Sequence, residues 1–124
     1  MKKSFEIESS DEGVAKINEK NLFKGYALFP FGQNAYTDLN DMYRIIEEKC
    51  NEKGKKYIYA YDTDPDHTMH EIGCDKEEIK TIIRDIDKRI EKLSSKIKDT
   101  IIFVVADHGH KNIINIDEEI TYDY

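Results

Sequence analysis

Short apolar runs alternate along this chain with longer segments of helical periodicity. The first run, GYALFPFG at residues 25–32, is compact and aromatic and predicts a short strand that stops at Pro30. The runs at residues 57–61 and 100–106 are almost continuously apolar or aromatic, which is typical of strands covered on both faces. The pattern therefore predicts three strands.

Two segments show the three- and four-residue spacing of amphipathic helices. The first begins near Asp38 and stops at Gly54, and its apolar face consists of Leu39, Met42, Tyr43, Ile45, Ile46 and Cys50. The second follows a predicted acidic N-cap at residues 75–78, and its face consists of Ile79, Ile82, Ile83, Ile86, Ile90, Leu93 and Ile97. Because strand–helix–strand order favours parallel pairing through right-handed crossovers, we expect an α/β fold with a mostly parallel sheet and flanking helices.

The two ends of the chain are polar and weakly patterned. Residues 1–21 predict an irregular lead-in with at most one short strand, since residues 9–13 are typical of a turn. The tail has a brief alternating segment at residues 113–116 and then acidic residues, with no sign of further core. A length of 124 residues suits a single domain, which we expect to span residues 1–124.

Charge argues against two classes of partner. Charged residues make up 36% of the chain, the net charge is −7, and the lysines are interleaved with acids. Such a surface repels phosphate backbones and anionic lipid, so neither a nucleic-acid polymer nor a membrane is expected as a partner. No apolar stretch approaches the roughly 18–20 residues that cross a bilayer, and residues 1–6 lack the apolar run of a signal peptide.

The lack of a bilayer-spanning stretch and of a signal-peptide run predicts a cytoplasmic location. Cys50 and Cys74 are too few for a disulfide scaffold and form no C-x-x-C motif, so both are expected to be ordinary thiols in a reducing compartment. The sequence also shows neither a G-x-S-x-G elbow nor a glycine-rich phosphate loop.

The four histidines of the chain follow two of the predicted strands. His67 and His70 come after the strand at residues 57–61, and His108 and His110 come after the strand at residues 100–106. Functional crevices of open parallel sheets lie outside the carboxyl ends of the strands, so the two loops are expected to face each other.

Each loop offers one acid and one imidazole as a candidate pair of metal ligands. Asp66 and His70 are four residues apart, which places both on one side of a helical turn. In the second loop, Asp107 and His108 can both turn inward if the strand breaks at Gly109, a residue that permits close backbone approach.

Other polar residues of these loops are expected to have supporting roles. Asp62 and Asp64 are predicted to be turn and cap residues, and His67 and His110 to support the ligands or face a substrate. The alternative interpretation of each acid–histidine pair is a solvated turn or a helix cap without a metal.

The two loops resemble those of the alkaline phosphatase superfamily, in its type I phosphodiesterase/nucleotide pyrophosphatase branch. The segment DPDHTMHEIG at residues 64–73 and the sequence Asp107-His108-Gly109 carry the resemblance, with a long helix between them. It implies an alkaline-phosphatase-like core and metal-dependent hydrolysis of phosphoric esters. Asp66 and His70 would then be ligands of one Zn or Mn ion, and Asp107 and His108 of a second.

Parts of that family's pattern have no counterpart in this chain. Members have an early aspartate ligand with a Thr or Ser nucleophile, and a further histidine well after Asp-His-Gly. The resemblance therefore implies a fragment with four metal ligands and no catalytic nucleophile, inactive alone, which self-associates or needs a complementing chain. The complete enzyme would act on a small phosphate ester. The alternative is a non-catalytic α/β remnant or interaction module.

Overall fold

The computed structural model describes residues 10–20, 23–32 and 34–112 of the chain. These residues form four helices and two strands: α1 (Ser10–Glu19), β1 (Lys24–Leu28), α2 (Leu39–Asn51), β2 (Lys56–Ala60), α3 (Asp66–Ile72) and α4 (Glu77–Lys96). The chain divides into two compact units, Met1–Asp62 and Thr63–Tyr124. Among the helices described, none is long and apolar enough to cross a membrane.

The first unit contains a parallel strand pair joined through a helix. β1 and β2 pair in parallel, with Lys24 opposite Lys56 and Leu28 opposite Ala60. α2 lies between them in the chain, so the predicted order of strand, helix and strand is confirmed here. β2 is less covered than its apolar sequence predicts, since the Tyr57 side chain is 47% exposed.

The core of this unit forms where α2 packs on the strands. Leu28, Tyr36 and Met42 are buried in one cluster, and Leu39, Tyr43, Ile45, Ile46 and Ile58 pack against it. α2 begins after Asp38, whose carboxylate accepts a hydrogen bond from the Asp41 amide at 2.8 Å. The Tyr36 hydroxyl donates to the Tyr61 carbonyl oxygen at 2.6 Å, and burial raises the pKa of Tyr36 to about 12.

Helix α1 corrects the expectation of an irregular lead-in. Ser, Asp and Glu are favoured both in turns and in the first turn of helices, so the local sequence does not separate the two. Tertiary contacts favour the helix: Val14 is buried, and the Asn18 side chain accepts from the Gly25 amide at 2.7 Å and donates to its carbonyl oxygen at 2.9 Å. A Cβ at Gly25 would lie 2.8 Å from the Val14 side chain, so only glycine allows this packing.

The second unit contains α3, α4 and the segment that follows them. α4 buries Ile79 and Leu93, as its predicted apolar face requires. It begins at Glu77 with Lys76 as N-cap and has no side-chain capping bond, so the predicted acidic cap is wrong.

The predicted strand at residues 100–106 is absent from the described structure. These residues adopt no regular secondary structure, and Phe103 and Val105 are each 82% exposed. A strand exists only when a neighbouring strand accepts its hydrogen bonds, whereas an apolar run shows only that burial is favoured. The expectation that the two histidine loops leave two strands is therefore wrong for the second loop. The predicted segment at residues 113–116 and most of the tail lie outside the described residues.

Candidate metal centre

Helix α3 places the first acid–histidine pair on one face. The Asp64 carboxylate accepts hydrogen bonds from the Thr68 amide at 3.0 Å and from the Thr68 hydroxyl at 2.7 Å, which stabilises the first turn. Asp64 precedes the N-cap of α3, which is Pro65, so it bonds the first turn without being the predicted cap residue itself. One helical turn separates Asp66 from His70, and the His70 Nε2 lies 3.4 Å from the Asp66 Oδ1.

The segment after α4 brings two further imidazoles to the same oxygen. His110 Nε2 lies 2.5 Å from Asp66 Oδ1, and His108 Nε2 lies 3.2 Å from it. The His110 ring stands edge-on to that of His70, with centroids 5.2 Å apart, and lies 4.7 Å from that of His108. Three imidazole nitrogens therefore converge on one carboxylate oxygen.

Three of these residues form a group that fits one cation. Ligand atoms of Asp66, His70 and His110 all lie within 4.8 Å of one another. The side chain of His110 is only 10% exposed, whereas those of His70 and Asp66 are 51% and 41% exposed. The group therefore has one covered imidazole and a side open to solvent.

The environment of Asp66 favours its charged form. Partial burial acts to raise the pKa of the Asp66 carboxyl, but the hydrogen bond with His110 and the charges of His70 and His108 outweigh it. The pKa of Asp66 consequently lies below its ordinary value. A metal ligand must be deprotonated, so this shift suits a coordinating carboxylate.

The two residues of the second predicted pair lie near each other but differ in exposure and contacts. His108 reaches Asp66, as described, whereas Asp107 is 75% exposed and its Oδ1 lies 3.8 Å from His108 Nε2. The assignment of Asp66, His70, Asp107 and His108 as metal ligands stays a prediction.

The sequence also predicts roles for His67 and Gly109, another histidine and a glycine of the two loops. His67 lies at the exposed surface, where its Nε2 is 3.6 Å from the Glu71 carboxylate. A Cβ at Gly109 would meet no atom within 4 Å, so the predicted close backbone approach is not seen there.

Sequence reasoning gave His110 a supporting role, yet it makes the closest contact to Asp66 among the three histidines around that carboxylate. A useful signal was present, because His108 and His110 are separated by one glycine in a segment without regular structure. Residues two apart point the same way in an extended chain, so a ligand role for one histidine suggests testing the other.

One of three comparisons with known proteins gives a match, and it agrees with the resemblance carried by the two loops. The model of one family, described as type I phosphodiesterase / nucleotide pyrophosphatase, matches residues 9–122. The comparisons with curated proteins and with solved structures give no match.

Proposed function

Because the chain belongs to the type I phosphodiesterase/nucleotide pyrophosphatase family, we propose that it forms part of a metal-dependent phosphoric-ester hydrolase. One observation carries the proposal: His70, His108 and His110 converge on a single oxygen of Asp66. Such a cluster of imidazoles and a carboxylate combines the ligand types that divalent transition metals prefer.

The donor set fits a cation such as zinc. Catalytic zinc commonly has three protein ligands and an open position, and Asp66, His70 and His110 supply one oxygen and two nitrogens. Ligands about 2.1 Å from a tetrahedral ion lie about 3.4 Å from each other. The separation of His70 Nε2 from Asp66 Oδ1 is 3.4 Å, whereas His110 and Asp66 are hydrogen-bonded and must separate to bind the ion.

We also propose that Asp107 and His108 are ligands of a second cation. His108 Nε2 lies 3.2 Å from Asp66 and 3.8 Å from Asp107, so this imidazole can serve a site on either side. Bound cations would polarise the phosphoryl oxygens of an ester. Through its contacts with the three histidines, Asp66 would keep the two proposed cation sites next to each other.

As the family resemblance implies, the nucleophile for the reaction would come from the rest of the enzyme or from a partner chain. Thr68 is the hydroxyl residue between Asp66 and His70, and its hydroxyl donates to Asp64. That bond belongs to the first turn of α3, so Thr68 is poorly suited to attack phosphorus. We therefore expect hydrolysis of an aryl phosphodiester by this chain alone to be close to zero.

We also propose that β1 and β2 belong to an alkaline-phosphatase-like core. Their parallel pairing through α2 supports a larger parallel sheet.

A metal titration tests the proposal. Zinc or manganese is added to the purified chain and followed by calorimetry, and His70→Ala, His108→Ala and His110→Ala are compared with wild type. We expect His70→Ala and His110→Ala to lose roughly 100-fold or more in affinity, because each removes a ligand. His67→Ala is the matched control, since His67 is exposed on the same helix and pairs with Glu71. Equal binding by all four variants and wild type would show that these histidines hold no metal.

A non-catalytic interaction module is the second candidate, and one observation favours it. The uncharged segment at residues 101–105 includes four residues that are at least 67% exposed. Apolar, β-branched segments without proline pair readily edge to edge. A second copy of the chain carries the same segment, so self-association through it is the expected interaction.

Sedimentation at rising protein concentration tests this candidate. Phe103→Lys should lower the average mass, because it adds a charge to the exposed segment. Ile83→Lys is the control, since Ile83 is an exposed apolar residue on α4. A wild-type chain that stays monomeric throughout would rule the candidate out.

A further inference from the structure

An open cavity of about 430 Å³ adjoins the candidate metal centre within the second unit. His70 and His110 line it, so two of the proposed ligands face the same space. Lys76 and Lys111 also line it, one from the N-cap of α4 and one from the residue after His110. Cationic side chains and candidate metal ligands therefore share one cavity.

Specific hydrogen bonds hold the two sides of this cavity together. The Asn112 side-chain oxygen accepts from the Cys74 amide at 2.8 Å, which joins segments 38 residues apart in the chain. Asn112 also hydrogen-bonds the carboxylate of Asp75, and this bond is the main reason that the pKa of Asp75 lies below its ordinary value. Asn112 is thus held against the connection between α3 and α4.

Gly73 makes the close approach of Asn112 feasible. Its φ is +89°, and a Cβ there would lie 2.8 Å from the Asn112 side-chain oxygen. A residue with a side chain would be strained by this backbone conformation and would displace Asn112. Local geometry therefore specifies where Lys111 lies relative to the connection that carries Lys76.

The charges that line the cavity favour an anion. Lys76 and Lys111 contribute two positive charges and Asp75 one negative charge, a net +1 before any charge on the imidazoles is counted. The chain as a whole has a net charge of −7, so this surface has the opposite sign to the average. Charge-assisted hydrogen bonds from ammonium groups are an effective way to bind an oxyanion beside a metal.

We propose that Lys76 and Lys111 bind a second anionic group of the substrate, next to the phosphoryl group at the candidate metal centre. The inference rests on the proposed function, because it takes the metal centre as the site of the reacting phosphorus. It adds a specificity rule: esters with a phosphate or carboxylate beside the reacting group are preferred over neutral esters.

Inorganic phosphate is the probe for a first test with the metal-free chain. Amide NMR shifts are followed during a phosphate titration, with EDTA present. We expect shifts at Cys74, Lys111 and Asn112, and a loss of affinity of roughly threefold to tenfold in Lys111→Met and in Lys76→Met, the scale of one charge-assisted contact. Lys80→Met is the matched control, because Lys80 lies on α4, has Glu77 within 3.8 Å and does not line the cavity.

The possible outcomes separate this inference from the proposed function. Equal weakening in Lys80→Met and Lys111→Met would indicate general charge attraction and overturn the inference. A second result would also overturn the inference: phosphate shifts only the amides of His70 and His110, and these shifts are the same in Lys76→Met and Lys111→Met as in wild type.

A zinc titration of the same variants keeps the two claims independent. Lys76→Met and Lys111→Met should bind zinc with unchanged affinity, because neither lysine is a ligand. Absence of zinc binding in wild type would defeat the proposed metal centre, while a lysine-dependent phosphate shift would still locate an anion site in the cavity.

Discussion

The two units of this chain use their side chains in different ways. In the first, α2 packs on paired strands and buries Leu28, Tyr36 and Met42 in a common cluster. In the second, polar contacts around Asp66 link α3 to the segment after α4, and most of the participating side chains remain partly exposed. Apolar packing thus stabilises the first unit, whereas the conformation of the candidate site depends on hydrogen bonds and charge. Changes in one unit should therefore affect a different property from changes in the other.

The largest effect is expected from removing core volume in the first unit. Met42 is 4% exposed, so Met42→Ala should destabilise this unit by about 2–5 kcal/mol through lost burial and a residual cavity. Urea denaturation measures the loss. Zinc affinity, measured under folding conditions, should stay at the wild-type value, and a parallel fall in zinc affinity would contradict the division of roles.

Zinc binding should instead stabilise the second unit and leave the first unit unchanged. Zinc at about 100 times its dissociation constant stabilises the state that binds it by about 2.7 kcal/mol. Hydrogen exchange should slow at the amides of α3, while those of β1 and β2 keep their rates. Equal slowing in both units would show that the ion acts on the whole chain.

Alkaline pH should act on the first unit through Tyr36. Its folded-state pKa of about 12 exceeds the ordinary value of 10.0, so the neutral phenol is favoured in the folded state. The contribution is complete below about pH 10 and falls by about 2–3 kcal/mol as the pH rises to about 12. Denaturation at several pH values should show a smaller alkaline loss in Tyr36→Phe, which also lacks the hydrogen bond to Tyr61 at neutral pH. Parallel pH profiles for the two proteins would contradict this origin.

Two glycines near the site provide the smallest and most closely matched comparison. Gly73→Ala should cost about 1–2 kcal/mol, because Gly73 has positive φ and its Cβ would press on Asn112. Gly109→Ala should change stability by less than about 0.5 kcal/mol, since its Cβ meets nothing within 4 Å. Thermal denaturation and zinc titration of both variants measure the difference. A larger effect at Gly109 would show that the segment beside His110 is packed differently.

Periodicity predicted the elements whose apolar residues bury one another. α2 and α4 follow from their three- and four-residue spacing, and β1 and β2 from apolar runs that pair with each other. The run at residues 100–106 has the same composition without a pairing partner in the described structure, and composition cannot specify a partner. α1 was missed because its stability depends on contacts of Val14 and Asn18 with the strand that follows.

The candidate site was predictable to the level of loops but not of contacts. The four-residue step from Asp66 to His70 follows from helix geometry, and the structure has it. Residues 107–112 have no regular structure, so no sequence period determines which side chains turn toward Asp66. The hydrogen bond between Asn112 and the distant Cys74 fixes this segment. The sequence does not show that bond, so it cannot predict that His110 rather than Asp107 contacts Asp66.

The paired bonds between Asn18 and Gly25 limit how the sheet can grow. In a parallel ladder, alternate residues direct their amide and carbonyl groups to opposite sides, and Gly25 directs both toward α1 rather than β2. A single carboxamide thus occupies the hydrogen-bonding positions that an incoming chain would need at that point. A strand could pair along this edge of β1 at Gly25 only after both bonds to Asn18 had broken.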